Sequence, residues 1–273
     1  MTPSSQPDPA DSTALTAPDN EPGGAMTFFE HLTELRKRLI NSIVSILVGA
    51  AVGWFLAPHF ITWITNPMLK ALGDAGLTKQ LYYTHPAGYL SLLISLSIYL
   101  GIVLASPWIL YQIWLFVAPA LYKHERKAIT GFLFSTVFLF LTGIAFGYFV
   151  SLPYVLRFLT SFKGPVVPLM SVNEYFDFIL LVLLGLGLVF ELPVLIFILT
   201  LFGIVTPKFL LDNFRYAVLV IAILAAVLTP TPDALTMLVF MGVLIALYFV
   251  GVAVSWLVVR RRKRRLAAPA EAG

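Results

Sequence analysis

Three carboxylates stand where a carboxylate is either costly or ringed by cations. Glu191 is the only ionisable residue between Asp177 and Lys208, near the middle of the apolar run FILLVLLGLGLVFELPVLIFILT. An acid at that depth costs about 2.5–3.5 kcal/mol or more to insert, so a partner, a water-filled cavity or a function is expected to offset it. Three chemistries fit: a proton or ion relay, a polar contact for another transmembrane helix, or a protonated, hydrogen-bonded core acid. Pro193 follows closely and removes a backbone donor, which can open the helix to water or to a partner side chain.

The other two acids lie among basic residues. Glu125 is the sole acid in LYKHERK, between Lys123, His124, Arg126 and Lys127. Glu34 lies in FFEHLTELRKRLI, where Phe28, Leu32, Leu35 and Leu39 recur at helical spacing with charges between them. That pattern predicts an amphipathic helix resting on a membrane surface and running into the first span. Glu34 and Arg38 form an i,i+4 pair within it, worth about 0.2–0.5 kcal/mol. Read plainly, the first segment is an anchoring helix with a solvated face, and the second is a short loop that sets topology. Read chemically, two carboxylates on one membrane face suit a ligand carrying guanidinium groups, because the planar fork pairs bidentately with a carboxylate.

The elements that hold these acids are legible from hydropathy. Runs free of Asp, Glu, Lys and Arg fall at about 39–57, 87–118, 128–150, 178–202, 215–229 and 234–258. A helix needs about 20 residues to cross about 30 Å of hydrocarbon. The second run is too long for one straight crossing and should kink at Pro107, while the fifth is too short and must thin the bilayer or hide against neighbours. Of the eighteen Lys and Arg, fourteen fall on one side of the alternating connections, including the RRRKRR tail at Arg260–Arg265. The positive-inside rule then places both termini in the cytoplasm. The outer connections PHFITWITNPMLKAL and SLPYVLRFLTSFKGPVVP read as short interfacial cap helices, the first broken at Pro67 and the second closed by a Pro/Gly turn. Gly49–Gly53 and Gly143–Gly147 are small-xxx-small pairs that allow close helix packing. The fold class expected is therefore an all-α integral membrane protein of six transmembrane helices.

Composition supports that reading and narrows function. Hydrophobic residues make up 59% of the chain and charged residues 12%, against about 25% charged in ordinary globular domains. Cysteine is absent, which removes thiol nucleophiles and thiolate metal sites. No H-E-x-x-H, G-x-S-x-G or P-loop pattern is present, so no enzyme activity, cofactor or metal is expected. The basic residues are clustered as topology signals and a stop-transfer anchor, with lipid headgroups as a secondary partner and no nucleic acid. Residues 1–25 are rich in Pro, Ser, Asp, Glu, Gly and Ala without Lys or Arg. They match no targeting segment and read as a disordered cytoplasmic tail. The expected division is that tail, a six-helix domain over 26–259, and a basic cytoplasmic tail over 260–273.

Four motifs together carry a family resemblance: HLTELRKRL before the first span, YQIWLFVAPALYKHERK after the second, FELPV in the fourth, and TPTPD between the last two. In order and layout, residues 28–258 resemble TatC, the multi-spanning core subunit of the twin-arginine protein translocase. The resemblance implies a bacterial cytoplasmic-membrane receptor for folded precursor proteins whose N-terminal signals bear paired arginines. It implies that Glu34 and Glu125 read the signal, with Arg36 and Phe116 as neighbours. It associates Glu191 with a concave, membrane-facing surface, and Pro67 and Asp233 with structural or partner-docking positions. It implies single-span partners, TatA and TatB, homo-oligomerisation within the complex, and the proton gradient as the energy source. Met237 stands where the family often has glutamine, a departure within a polar patch that receives a partner helix. The competing expectation is a proton-coupled secondary transporter with Glu191 as its proton carrier. A purely structural scaffold is the third.

Overall fold

The computed structural model describes residues 28–117, 126–161, 169–229 and 234–267, and every regular element in them is helical. In chain order these are α1 (Phe28–Asp74), α2 (Gly88–Val117), α3 (Arg126–Phe146), a π-helical turn (Gly147–Ser151), α4 (Leu152–Ser161), α5 (Val172–Val189), α6 (Leu192–Leu201), α7 (Pro207–Asp212), α8 (Phe214–Leu228) and α9 (Ala234–Ala267). Among the described residues five stretches are long and apolar enough to cross a membrane: Phe29–Asp74, Gly88–Phe116, Leu133–Ser161, Val172–Leu201 and Thr236–Arg261. α8 has only 15 residues, about 22 Å of helix against about 30 Å of hydrocarbon, as its short apolar run leads one to expect. Large apolar side chains such as Leu47, Val48, Val52 and Phe55 of α1 point outward. That arrangement suits hydrocarbon as the solvent, where helices satisfy their own backbone groups.

Two expectations are corrected here. The amphipathic N-terminal segment runs on into the long first helix as expected, but the first outer cap is not a separate element: it too belongs to α1, whose 47 residues run through Pro58 and Pro67 without interruption. Pro67 has no N–H for the Trp63 carbonyl, and that carbonyl instead accepts from the Tyr148 hydroxyl at 2.8 Å. The next carbonyl, Ile64, accepts from the Tyr175 hydroxyl at 2.8 Å. Two tyrosines from other helices thus splice the helix where proline should break it. The second cap is likewise an extension, because α3 passes through the π-helical turn directly into α4. Its expected closing turn lies outside the described residues, as does the tail over 1–25. At the other terminus α9 stays helical through the whole basic cluster Arg260–Arg265 to Ala267.

The described side chains pack into two apolar clusters. One joins the second half of α1 to the starts of α2 and α5 and to α4, around Leu72, Leu96, Leu156 and Phe176. The other joins the end of α5 to α6, α8 and α9, around Leu186, Ile196, Ala225, Phe240 and Leu244. Both glycine pairs serve packing. A Cβ on Gly49 would stand 2.6 Å from the Gly101 carbonyl oxygen, and one on Gly143 would stand 2.7 Å from that of Leu186. Backbones that close admit no side chain between them. The connection from α1 to α2 is pinned to the start of α5 by Tyr82, whose amide donates to Met170 O at 3.0 Å and whose carbonyl accepts from Val172 N at 2.9 Å.

Candidate functional site

The first site is built where the start of α1 meets the end of α2. Helical spacing puts Glu34 and Arg38 on one face, and Arg38 Nη2 donates to Glu34 Oε1 at 3.0 Å. The other fork nitrogen, Nη1, donates across to Gln112 Oε1 of α2 at 3.2 Å. Gln112 is only 2% exposed, so it fixes the guanidinium from a rigid position. Glu34 is 14% exposed on its side chain, and its second oxygen, Oε2, is buried without a hydrogen-bond partner among the described residues. A half-used carboxylate in a desolvated setting is primed for another donor, because an unsatisfied buried acceptor costs about 1–3 kcal/mol. His31 stacks on Phe116 with ring centroids 4.4 Å apart, closing the same junction one turn away.

The second site is the mid-span acid. α5 ends at Val189, the chain turns at Phe190 and Glu191, and α6 resumes at Leu192 with Pro193 in its first turn. The Glu191 amide donates to Leu188 O at 3.1 Å, while its carbonyl accepts from Leu195 N at 2.9 Å. Both carboxyl oxygens of Glu191 are buried and have no hydrogen-bond partner among the described residues. Of the three chemistries open from sequence, a hydrogen-bonded core acid is the one this geometry does not match. α6 is held to α9 next to the break: a Cβ on Gly251 would stand 3.3 Å from Pro193 Cα, and Thr200 Oγ1 donates to Ser255 Oγ at 2.8 Å.

The expected site residues divide accordingly. Glu34 and Phe116 are brought to one junction, whereas Arg36 is exposed on α1 and takes no part in the Glu34 pair. Glu191 stands apart from them, in the fourth apolar stretch. Pro67 sits in α1 under the Tyr148 hydroxyl, a position with a clear packing reason. Glu125 and Asp233 lie outside the described residues. Met237 packs against the second apolar cluster. Sequence reasoning did not single out Gln112, although an amide in an otherwise apolar run was a usable signal. Tyr148 and Tyr175 gave no such signal, because nothing in their spacing ties them to Pro67. Among the described residues no group of three or more His, Asp or Glu is placed to hold a metal ion.

Comparison with known proteins gives one consistent result. A family model described as TatC, Sec-independent protein translocase protein, matches residues 30–242. The TatC protein of Koribacter versatilis (strain Ellin345) is 42% identical over 250 residues, spanning 91% of this chain and 92% of that protein. That of Aquifex aeolicus (strain VF5) is 33% identical over 241 residues, 87% of this chain and 98% of its own. A crystal structure of a twin-arginine translocase receptor, TatC, superposes with a TM-score of 0.71 at 33% identity, covering 83% of this chain and 98% of that one. A second, of the same receptor in DDM, gives 0.72 at 32% identity, with 82% and 99% coverage. The half-used carboxylate beside the second span, the broken fourth span with its buried acid and the match along nearly the whole chain converge: this chain belongs to the TatC family and is a multi-pass membrane component of the Sec-independent, twin-arginine protein translocase.

Proposed function

We propose that this chain is the signal receptor and core scaffold of its translocase, reading paired arginines of a precursor's signal with Glu34 and Glu125. The observation that carries this is the Glu34 carboxylate: one oxygen is engaged by Arg38, and the other is buried and free to accept. Arg38, anchored by Gln112, fixes the orientation of the carboxylate and keeps it from collapsing into the apolar junction. A second guanidinium then needs a second carboxylate on the same face, and Glu125, in the connection that follows Phe116 and α2, supplies it. The apolar outer surfaces of α1 and α2 receive the hydrophobic part of the signal. In this reading all six apolar runs cross the bilayer, α8 as the short one, with both termini in the cytoplasm of a bacterial cell.

Glu191 serves in the same reading as a contact for a polar group on a partner helix, because an unpartnered buried carboxyl is stabilised by a donor from outside the subunit. The partners are the single-span subunits TatA and TatB, further copies of this chain, and membrane lipids, and the proton gradient drives transport. Membership of the TatC family favours this over the proton-coupled secondary transporter. The experiment is direct binding of a twin-arginine signal peptide to the purified protein in nanodiscs. The Glu34→Gln/Glu125→Gln double variant should insert normally and lose the peptide. Unchanged binding by that variant refutes the assigned site.

A further inference from the structure

α1 carries a second constellation of charges at the end remote from Glu34. Between α1 and the π-turn–α4 segment lies a cavity of about 290 Å³, with Lys70 and Asp74 contributed by α1, Arg157 by α4, and Asn66, Tyr148 and Phe149 completing its wall. That volume is at the small end of ligand sites. Among the described residues no ion pair engages Lys70, Arg157 or Asp74, so all three face the cavity without a charged partner from that set. Tyr148, spent on the Trp63 carbonyl at 2.8 Å, gives the floor a fixed shape.

Position identifies the environment. From Glu34 to Lys70 is about 54 Å of helix at 1.5 Å per residue, well beyond about 30 Å of hydrocarbon. The cavity therefore opens at the membrane face opposite the Glu34 junction. Aromatic rings mark that level: Trp63 stacks on Tyr148 with centroids 3.7 Å apart, and Phe149, in the cavity wall, is 68% exposed. Such rings gather where hydrocarbon meets headgroups. Charge pattern identifies the ligand class. Two cations from different helices clamp a phosphodiester, but a carboxylate beside them repels a purely anionic headgroup. A primary ammonium on the same headgroup satisfies that carboxylate with hydrogen bonds, which a quaternary choline cannot donate.

We propose that this cavity is a headgroup site for a zwitterionic phospholipid bearing a primary ammonium, with its phosphate on Lys70 and Arg157 and its ammonium on Asp74. The bound lipid fills the notch between α1 and α4 beside the Tyr148 splice and holds the two outer extensions together.

Native mass spectrometry of the full chain in detergent, titrated in turn with phosphatidylethanolamine, phosphatidylglycerol and phosphatidylcholine, tests the site. The expected result is retention of the ethanolamine lipid about ten-fold more tightly than either competitor, since one charge-assisted hydrogen bond is worth about that factor. Lys70→Gln and Arg157→Gln should each weaken it about ten-fold, Lys70→Arg should keep it, and Asp74→Asn should abolish the preference over phosphatidylglycerol. Equal retention of the three lipids, or wild-type retention by Lys70→Gln/Arg157→Gln, overturns the proposal. Soluble glycerophosphoethanolamine binding as tightly as the lipid overturns the lipid assignment. All three side chains are exposed, and unchanged thermal melting of the variants in lipid-free detergent separates loss of the site from loss of the fold.

Discussion

Glu34 and Glu191 are the same side chain solved in two ways. At the start of α1 the carboxylate has an arginine one turn away, and that arginine is held by a buried amide on the neighbouring helix. In the fourth apolar stretch the carboxyl sits at a helix break with both oxygens buried and neither engaged. The first arrangement is satisfied on one side only and fits a cationic ligand arriving from water. The second is satisfied by nothing within the described chain and fits a donor brought by another helix. The contrast teaches that an acid's role in a membrane protein is set by what the subunit itself supplies, and that what it withholds points to the partner.

That contrast can be tested with five variants. The largest effect is expected from the Glu34→Gln/Glu125→Gln double variant. Hydrogen bonds to charged groups contribute about 1.5–3 kcal/mol each, so signal-peptide affinity should fall about 100-fold or more by fluorescence titration. Glu191→Leu should act in the opposite sense on the isolated subunit, stabilising it by about 2 kcal/mol through removal of an unpartnered buried carboxyl. Export by cells carrying that variant should nevertheless cease at normal protein levels. A variant that exports as wild type removes the partner-contact role. Arg38→Gln should lower the denaturation midpoint by the equivalent of about 1–2 kcal/mol, because it leaves the Glu34 carboxylate half-buried without its donor. Gln112→Leu should reproduce part of that loss by freeing the guanidinium. The smallest effect is expected from Tyr148→Phe, which strands the Trp63 carbonyl above Pro67 and should cost about 1 kcal/mol in thermal unfolding. Signal affinity should be unchanged in that variant, since the splice lies at the far end of α1.

Much of this architecture is written in one-dimensional patterns. Apolar runs gave the long helices and the short α8, because hydrocarbon leaves a segment little choice but to be helical. The i,i+4 spacing of Glu34 and Arg38 gave their pair, and the small-xxx-small repeats gave the contacts of Gly49 and Gly143. The misreadings share a cause. Pro67 suggested a break between a span and a cap because proline forfeits a hydrogen bond, but the Tyr148 hydroxyl replaces the missing donor and the Tyr175 hydroxyl, from another part of the chain, donates to the next carbonyl. Such compensation is a tertiary event that no local window contains. Gln112 is a similar case: its role depends on α2 lying against α1, where Gly49 and Gly101 let the backbones meet. The break at Glu191 was foreshadowed by Pro193, but that its carboxyl would find no partner among its own neighbours is visible only once the helices are packed.

The most direct test of the central claim is photo-crosslinking from positions 34, 125 and 191 in turn to a twin-arginine precursor, with the adduct mapped on the precursor. Probes at 34 and 125 should both mark the segment containing the paired arginines, while a probe at 191 should mark apolar segments of the signal or of a partner helix. Probes at 34 and 125 that mark different parts of the precursor, or that mark it no more strongly when the arginines are present than when both are replaced by glutamine, contradict that claim.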